Sequence, residues 1–375
     1  MTEAVGLVHD YLLVMRGAER AFAAIADCWP SAPIYTLLYD PQGTEGALAH
    51  RKVQTSYLQR FRVRQTGFRR LLPLFPRAAE RLPVQGHELV ISSTSAFAHG
   101  VRPSPEAVHV AYCYTPFRYA WHERDQTLAA SPRPIRPLVR RTLDRVRAWD
   151  LEASRRVTHY VTISELSRRR INDCYGRDAT IVHPPVDVER FSVGVPEDFF
   201  LVVCELVRHK RVANALEAAR RAGQPITVVG GGPELARLKR EYGSGARFLG
   251  RAADGELADL YRRARALVLP NIEEFGIAAV EAQASGRPVL AADAGGARET
   301  VLEGETGVRV PRDDVGALAE AMREVDWDGF DPHRIRQHAM RFSTDAFQRR
   351  FRGEVERAIG GHKSRQPLAE TPPRE

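Results

Sequence analysis

Two carboxylates eight positions apart, Glu273 and Glu281, bracket the turn Phe275-Gly276-Ile277 in the run Pro270-Asn271-Ile272-Glu273-Glu274-Phe275-Gly276-Ile277. A carboxylate in a loop accepts hydrogen bonds from sugar hydroxyls. A turn that opens a helix points free backbone N–H groups and the positive dipole end outward, which suits a phosphate or a sugar oxygen. Gly276 lets a ligand come close to the main chain. Glu281, nearly two turns further on, suits a ribose diol or a structural contact. The set matches a nucleotide sugar, and on spacing alone it matches equally a strand followed by an ordinary helix with two solvated glutamates.

The elements that must hold these groups are readable on either side. Ala266-Leu267-Val268-Leu269, ending at Pro270, predicts a buried strand, and the stretch from Ile277 to Ala284 predicts a helix. The alternation recurs along the chain, with strands expected at 5–8, 89–92, 108–112 and 159–163, then at 199–203, 226–229, 266–269 and 288–291. Gly17 to Trp29 predicts the first helix, with Phe22, Ile25 and Trp29 on one face. Strand-then-helix repetition in both halves predicts an α/β fold class of two Rossmann-like, doubly wound domains with the ligand in a cleft between them. Prolines 184 and 185 and the irregular run after Phe191 put the boundary at 191–198. The expected domains are therefore 1–191 and 198–341, followed by a helix over 342–359 and a polar, disordered tail over 360–375.

Composition narrows the class. A chain of 375 residues with 43% hydrophobic content can bury two cores. No apolar run reaches the roughly 20 residues of a spanning helix, and Met1-Thr2-Glu3-Ala4 lacks the plan of a signal peptide, so a cytoplasmic location is expected. Cys28, Cys113, Cys174 and Cys204 are scattered without a Cys-x-x-Cys pair, which predicts reduced, buried thiols. No metal constellation is visible, and Asp326-Trp327-Asp328 reads as a surface turn. The net charge of +8 calls for an anionic partner. Much of it lies in 51–81, where Arg51, Lys52, Arg60, Arg62, Arg64, Arg69, Arg70, Arg77 and Arg81 meet only Glu80 and alternate with Phe61, Phe68, Leu71, Leu72, Leu74 and Phe75. That mixture predicts peripheral contact with an anionic membrane surface, at the inner face of the cell membrane. Nucleic acid is not expected, because the basic residues form one stretch and no known module.

Glu273, Glu281 and Gly286-Arg287-Pro288-Val289, followed by Asp293 to Val301 with its Gly295-Gly296 pair and by Glu305-Thr306-Gly307, resemble in order and spacing the signature of the retaining glycosyltransferases of family 4. His9-Asp10-Tyr11-Leu12, Met15 to Arg20 and Cys113 to Tyr119 are similar to the bacterial O-antigen and capsule mannosyltransferase-like branch, and the resemblance covers 5–358. It implies the GT-B architecture, with an acceptor domain first, a nucleotide-sugar domain second, and the C-terminal helix crossing back to the first. It also implies metal-independent, retaining hexosyl transfer from a nucleotide-diphosphate sugar to a membrane-linked glycan in cell-surface polysaccharide synthesis. GDP-mannose is the family-level donor, and no cofactor is implied.

The resemblance also assigns roles. Glu273 and Lys210 are the catalytic pair, Lys210 countering charge on the leaving diphosphate. Gly17, Glu205, Arg211, Gly231, Arg251, Glu274, Phe275, Gly276, Ile277 and Glu281 complete the donor site, and Arg16, Tyr114, Arg118 and Tyr119 face the acceptor. The chain departs from the family pattern at Ala18 for a second glycine, Cys204 for a glycine, Glu205 for the diphosphate arginine and Tyr114 for a histidine. A carboxylate beside a diphosphate repels it, so Glu205 must pair with Arg208 or Arg211, or another group must neutralise the phosphates. Gly230-Gly231-Gly232 fits either a nucleotide lining or tight strand-to-helix packing. The rival readings are a nucleotide-sugar epimerase or glycoside phosphorylase on the same fold, and a noncatalytic basic binding protein.

Overall fold

The computed structural model of the chain describes residues 4–61 and 67–364. Two compact units share it: one holds residues up to Ile163, Ser167–Val182 and those from Gln348, and the other holds Ser164–Leu166 and His183–Phe347.

The first unit is built on seven parallel strands, β1 (Val5–His9), β2 (Ile34–Thr36), β3 (Val53–Thr55), β4 (Leu89–Thr94), β5 (Val108–Cys113), β6 (His159–Thr162) and β7 (Thr180–Ile181), in the order β3-β2-β1-β4-β5-β6-β7. The central strands β1, β4 and β5 are buried along their whole length, as expected of a sheet whose two faces are both covered. Its helices are α1 (Gly17–Asp27), α2 (Phe75–Glu80), α3 (Arg124–Ala130), α4 (Arg136–Ser154) and α5 (Glu165–Tyr175). Phe22 and Ile25 of α1 are buried, while Trp29 lies beyond the helix end and packs edge-on to Phe351 at 6.1 Å.

The second unit has six parallel strands, β8 (Phe200–Val203), β9 (Ile226–Val229), β10 (Ala246–Gly250), β11 (Ala266–Leu269), β12 (Val289–Ala292) and β13 (Gly307–Val310), in the order β10-β9-β8-β11-β12-β13. That is a doubly wound sheet with its switch point between β8 and β11. The covering helices are α6 (Val212–Ala222), α7 (Leu235–Tyr242), α8 (Asp254–Arg263), α9 (Ile277–Ala284), α10 (Ala297–Thr300), α11 (Val315–Glu324) and α12 (Pro332–Ala339), followed by the long α13 (Thr344–Lys363), which belongs to the first unit from Gln348 on. Phe200, Val202, Val228 and Val268 form the core with Leu216, Leu318 and Trp327.

Several expectations are corrected. The chain passes between units at Val182/His183, ahead of the 191–198 break. The reason is that 183–191 is tied to the second unit: the N–H of Val186 bonds the carbonyl of Phe342 at 2.9 Å, and Phe191 packs on Tyr261 at 5.6 Å. Helix α13 begins at Thr344 and continues through Gly360 and Gly361, with Ser364 N–H bonding the carbonyl of Gly360 at 3.1 Å. The tail expected from 360 therefore starts later, and 365–375 lie outside the described residues. Trp327 is buried against Phe200 at 5.6 Å while the Asp326 carboxylate caps the N–H of Gly329. The cysteines are free thiols, Cys28 and Cys113 buried, Cys174 and Cys204 half-buried.

In the basic segment the interleaved apolar side chains serve the core: Phe75 is buried, and Phe68, Leu71 and Leu72 pack against the same cluster. Arg51 turns inward and donates to the carbonyls of Ala26, Trp29 and Ala32. Only Phe61 and Leu74 of that set are exposed among the described residues. Arg62 and Arg64, and the side chain of Arg69, lie outside the described residues.

Burial holds two histidines of the first unit neutral. His9, stacked on Phe22 at 4.7 Å and 3.1 Å from Ser93 Oγ, is lowered to about 4, and His109, 2.8 Å from Ser92 Oγ, to about 3. Both folded values lie below the ordinary 6.5, so between pH 6.5 and 4 the unfolded chain binds more protons and stability is lost as the pH is lowered through that window. The stability gap between wild type and His109→Gln is expected to narrow from pH 7 to pH 5 in urea melts, because only the wild type loses this contribution. A constant gap would contradict the assignment.

Candidate functional site

Chemistry concentrates where the loops after β8 and β11 diverge. Val207 to Lys210 follow β8 through a short 3-10 turn that ends on Arg211, whose φ of 52° is left-handed. A non-glycine residue there costs about 1–2 kcal/mol and persists where the fold needs the bend. Just before it, Lys210 extends across the switch point to Glu273 in the loop after β11. Its Nζ donates to Oε1 at 2.6 Å and to Oε2 at 2.7 Å. The side chains are 21% and 19% exposed, so the pair is largely screened from water yet still reachable.

The acidic loop is moulded from below. Asn271, 5% exposed, donates from Nδ2 to Glu273 Oε1 at 3.0 Å and to its neighbour's carbonyl at 3.2 Å. Gly296 N–H bonds the Glu273 carbonyl at 2.9 Å. A Cβ on Gly296 would sit 2.1 Å from the Phe275 carbonyl oxygen, and one on Gly295 would sit 2.3 Å from that of Glu273. These glycines are thus a seat for the loop. Phe275 is buried between His183 and Phe342, with centroids at 5.5 and 5.4 Å. Gly276 takes φ 93° to turn the chain into α9, a conformation that an L side chain adopts only under strain. Sequence reasoning missed Asn271 altogether, and read the Gly295-Gly296 pair only as a matching pattern. The amide two residues ahead of Glu273, in the same loop, was the available signal for the first.

The remaining expected donor residues fall on neighbouring loops of the same unit. Glu281, half-buried on α9, accepts a 2.8 Å hydrogen bond from the Tyr261 hydroxyl. Glu274 and Ile277 are half-buried beside Phe275. Gly230 and Gly232 press on the backbone, where a Cβ would meet the carbonyls of Cys204 and Leu206 at 1.8 and 2.4 Å. Tight packing therefore accounts for the outer glycines of that turn. Gly231 has only Arg251 carbon and nitrogen near it, at 3.7 Å, and Arg251 is exposed. Arg211 salt-bridges Asp313 at 2.6 Å, and Glu205 is exposed. Burial pushes the Cys204 thiol up to about 12, so it brings no negative charge beside Lys210 at neutral pH.

In the first unit, Arg16 caps α1 and its N–H donates to Glu19 Oε2 at 3.1 Å; Gly17 is the first helical residue. The Tyr114 hydroxyl donates to the Ala18 carbonyl at 2.8 Å and lies 2.9 Å from Ser93 Oγ, so Arg16, Gly17 and Tyr114 meet above β1 and β5. Arg118 sits 3.6 Å from Glu123, and Tyr119 packs edge-on to Phe117 at 5.5 Å, in the loop beyond. Trp121, two residues on, belongs to a buried network: its indole and the Tyr175 hydroxyl both donate to Asp150, at 2.7 and 2.8 Å. Asp10 was not singled out as a site residue. Its buried carboxylate accepts N–H groups of Ser95, Phe97 and Ala98 at 2.6–2.8 Å, which fixes the loop after β4.

Comparison with known proteins bears on the second unit first. Residues 186–342 match the family described as Glycosyl transferases group 1. The chain is 33% identical over 215 residues to the D-inositol 3-phosphate glycosyltransferase of Streptomyces bingchenggensis, covering 46% of each chain. It is 34% identical over 181 residues to that of Mycobacterium bovis, covering 41% of this chain and 38% of the other. The chain thus spans about half the length of the curated relatives it matches. Among solved structures, Anabaena HepE in complex with UDP and glucose superposes with a TM-score of 0.69 at 18% identity, covering 94% of this chain and all of that one. The lipopolysaccharide outer core galactosyltransferase WaaB gives 0.65 at 16% over 95% of this chain and 99% of that one. Residues 186–342 thus match the model of the group 1 glycosyl transferases, on a chain whose two parallel α/β sheets make the GT-B fold.

Proposed function

We propose that this protein is a retaining hexosyltransferase that uses a nucleotide-diphosphate sugar. The observation that carries the reading is the bidentate Lys210–Glu273 ion pair at the switch point of a nucleotide-type sheet. Each partner matches one end of the donor's reacting bond. Lys210 exchanges Glu273 for the diphosphate, and the freed carboxylate accepts hydrogen bonds from the sugar hydroxyls.

In the reaction, the bond from the anomeric carbon to the diphosphate oxygen breaks. The acceptor oxygen bonds to that carbon on the same face, and its proton passes to the departing phosphate oxygen. Lys210 and the amides of Phe275, Gly276 and Ile277 counter the charge that grows on the leaving group. Glu281, oriented by Tyr261, takes the ribose diol, while Gly231 and Arg251 border the base. In the first unit Arg16, Arg118, Tyr114 and Tyr119 serve the acceptor, read as a membrane-linked glycan of cell-surface polysaccharide synthesis. HepE's complex with UDP and glucose sets a UDP-sugar beside GDP-mannose as donor.

Three tests follow from this reading. Glu273→Ala is expected to fold and to lose about 100- to 1,000-fold in kcat, with Lys210→Ala similar; full activity in either variant rejects the assignment. Asn271→Ala, which unhooks one oxygen of Glu273, is expected to raise the donor KM with a smaller loss in kcat, and steady-state kinetics reads the split. A thermal-shift panel of UDP-, GDP- and ADP-sugars is expected to give one stabilising base, with the shift abolished in Lys210→Ala.

A further inference from the structure

Helix α4 carries a cationic face that this transfer chemistry leaves unused. Arg133, Arg136, Arg140, Arg141 and Arg145 line an open groove of about 680 Å³, in which Asp144 is the one lining carboxylate. Asp144 is engaged by Arg124 at 2.5 Å, and Arg136 is turned to the carbonyls of Ala129 and Ser131. Arg133, Arg140, Arg141 and Arg145 are exposed. The opposite side of the helix, with Leu143, Val146 and Ala153, is buried in the first unit, so the direction of the arginine face is fixed by packing.

The same face is apolar. Leu138 is 68% exposed, Ile135 49% and Leu151 37%, three of the seven large apolar side chains exposed among the described residues. Leucine and isoleucine standing in water among arginines form no core. They are the pattern of a helix lying at an interface, with guanidinium groups at headgroup level and aliphatic side chains reaching the acyl boundary. A nucleic-acid backbone would satisfy the arginines and offer nothing to Leu138 and Ile135, whereas an anionic bilayer satisfies both.

We propose that α4, with the turn before it, docks the first unit on an anionic lipid surface. This moves the lipid contact away from 51–81, where Phe68, Leu71, Leu72 and Phe75 are committed to the core. It stands on these exposures and charges alone, independent of the donor site.

Flotation of the full chain with phosphatidylcholine vesicles, with and without phosphatidylglycerol, tests it. Binding is expected only with the anionic lipid, and weaker at high salt. Each arginine near an anionic surface contributes about fivefold, so Arg140→Glu, Arg141→Glu and Arg145→Glu together are expected to weaken partitioning at least about 100-fold. Leu138→Ser is expected to weaken it about tenfold at an unchanged salt dependence. These positions are exposed, so thermal midpoints and turnover with a water-soluble acceptor should stay at the wild-type level. Equal flotation with neutral vesicles, undiminished flotation of the triple variant, or an unaffected Leu138→Ser would each overturn the proposal. Binding to a single-stranded oligonucleotide without vesicle binding would overturn it in favour of nucleic acid.

Discussion

A cation and an anion held 2.6 Å apart where two strands diverge constrain everything around them in the second unit. Removing a lysine and a carboxylate from most of their water is costly, and a well-packed apolar pair would often be cheaper. The fold nevertheless invests in the arrangement. Arg211 takes a left-handed turn after the lysine, Asn271 gives its amide to the carboxylate, and two glycines seat the loop that bears it. Such concentration of strain and specific hydrogen bonds around a reachable ion pair is what a site requires when its charges must be handed to a ligand.

The first unit uses its polar groups differently. Asp10, His9, Ser93, Thr94 and Tyr114 lie at the ends of the central strands, where a ligand site is expected in such sheets, yet they mostly bond one another and the backbone. Asp10 collects three amides that would otherwise be unpaired, and Tyr114 spans from β5 to the first turn of α1. The tyrosine found where the resemblance implies a histidine thus also braces the helix start.

Legibility in the sequence followed burial. The long apolar runs at 5–8, 89–92, 108–112, 199–203 and 266–269, and the helix Ile277–Ala284, declare themselves because burial on both faces leaves an uninterrupted pattern. Strands β2, β3, β7 and β13 are two to four residues long and lie in the outer half of their sheets, and β10 is half exposed, so none has a period to detect. Glu273 and Lys210 were legible as residue types in suggestive loops; that they grip each other depends on the sheet order, which no local pattern records. The basic stretch 51–81 was ambiguous because arginine interleaved with apolar residues has the same composition at a core edge, where Phe68, Leu71, Leu72 and Phe75 lie, as at a lipid surface. Helix α4 drew no notice because its apolar and basic residues look ordinary until packing reveals which side is outward.

The seat beneath the acidic loop touches mostly main chain: an amide of Gly296 on the Glu273 carbonyl, and close approaches to the carbonyls of Glu273 and Phe275. Such a mould is indifferent to which side chain rides beside the carboxylate of Glu273, at 274. Position 274 is consequently exchangeable, and offers a route to altered sugar preference in engineered variants while the anchoring of the loop is kept.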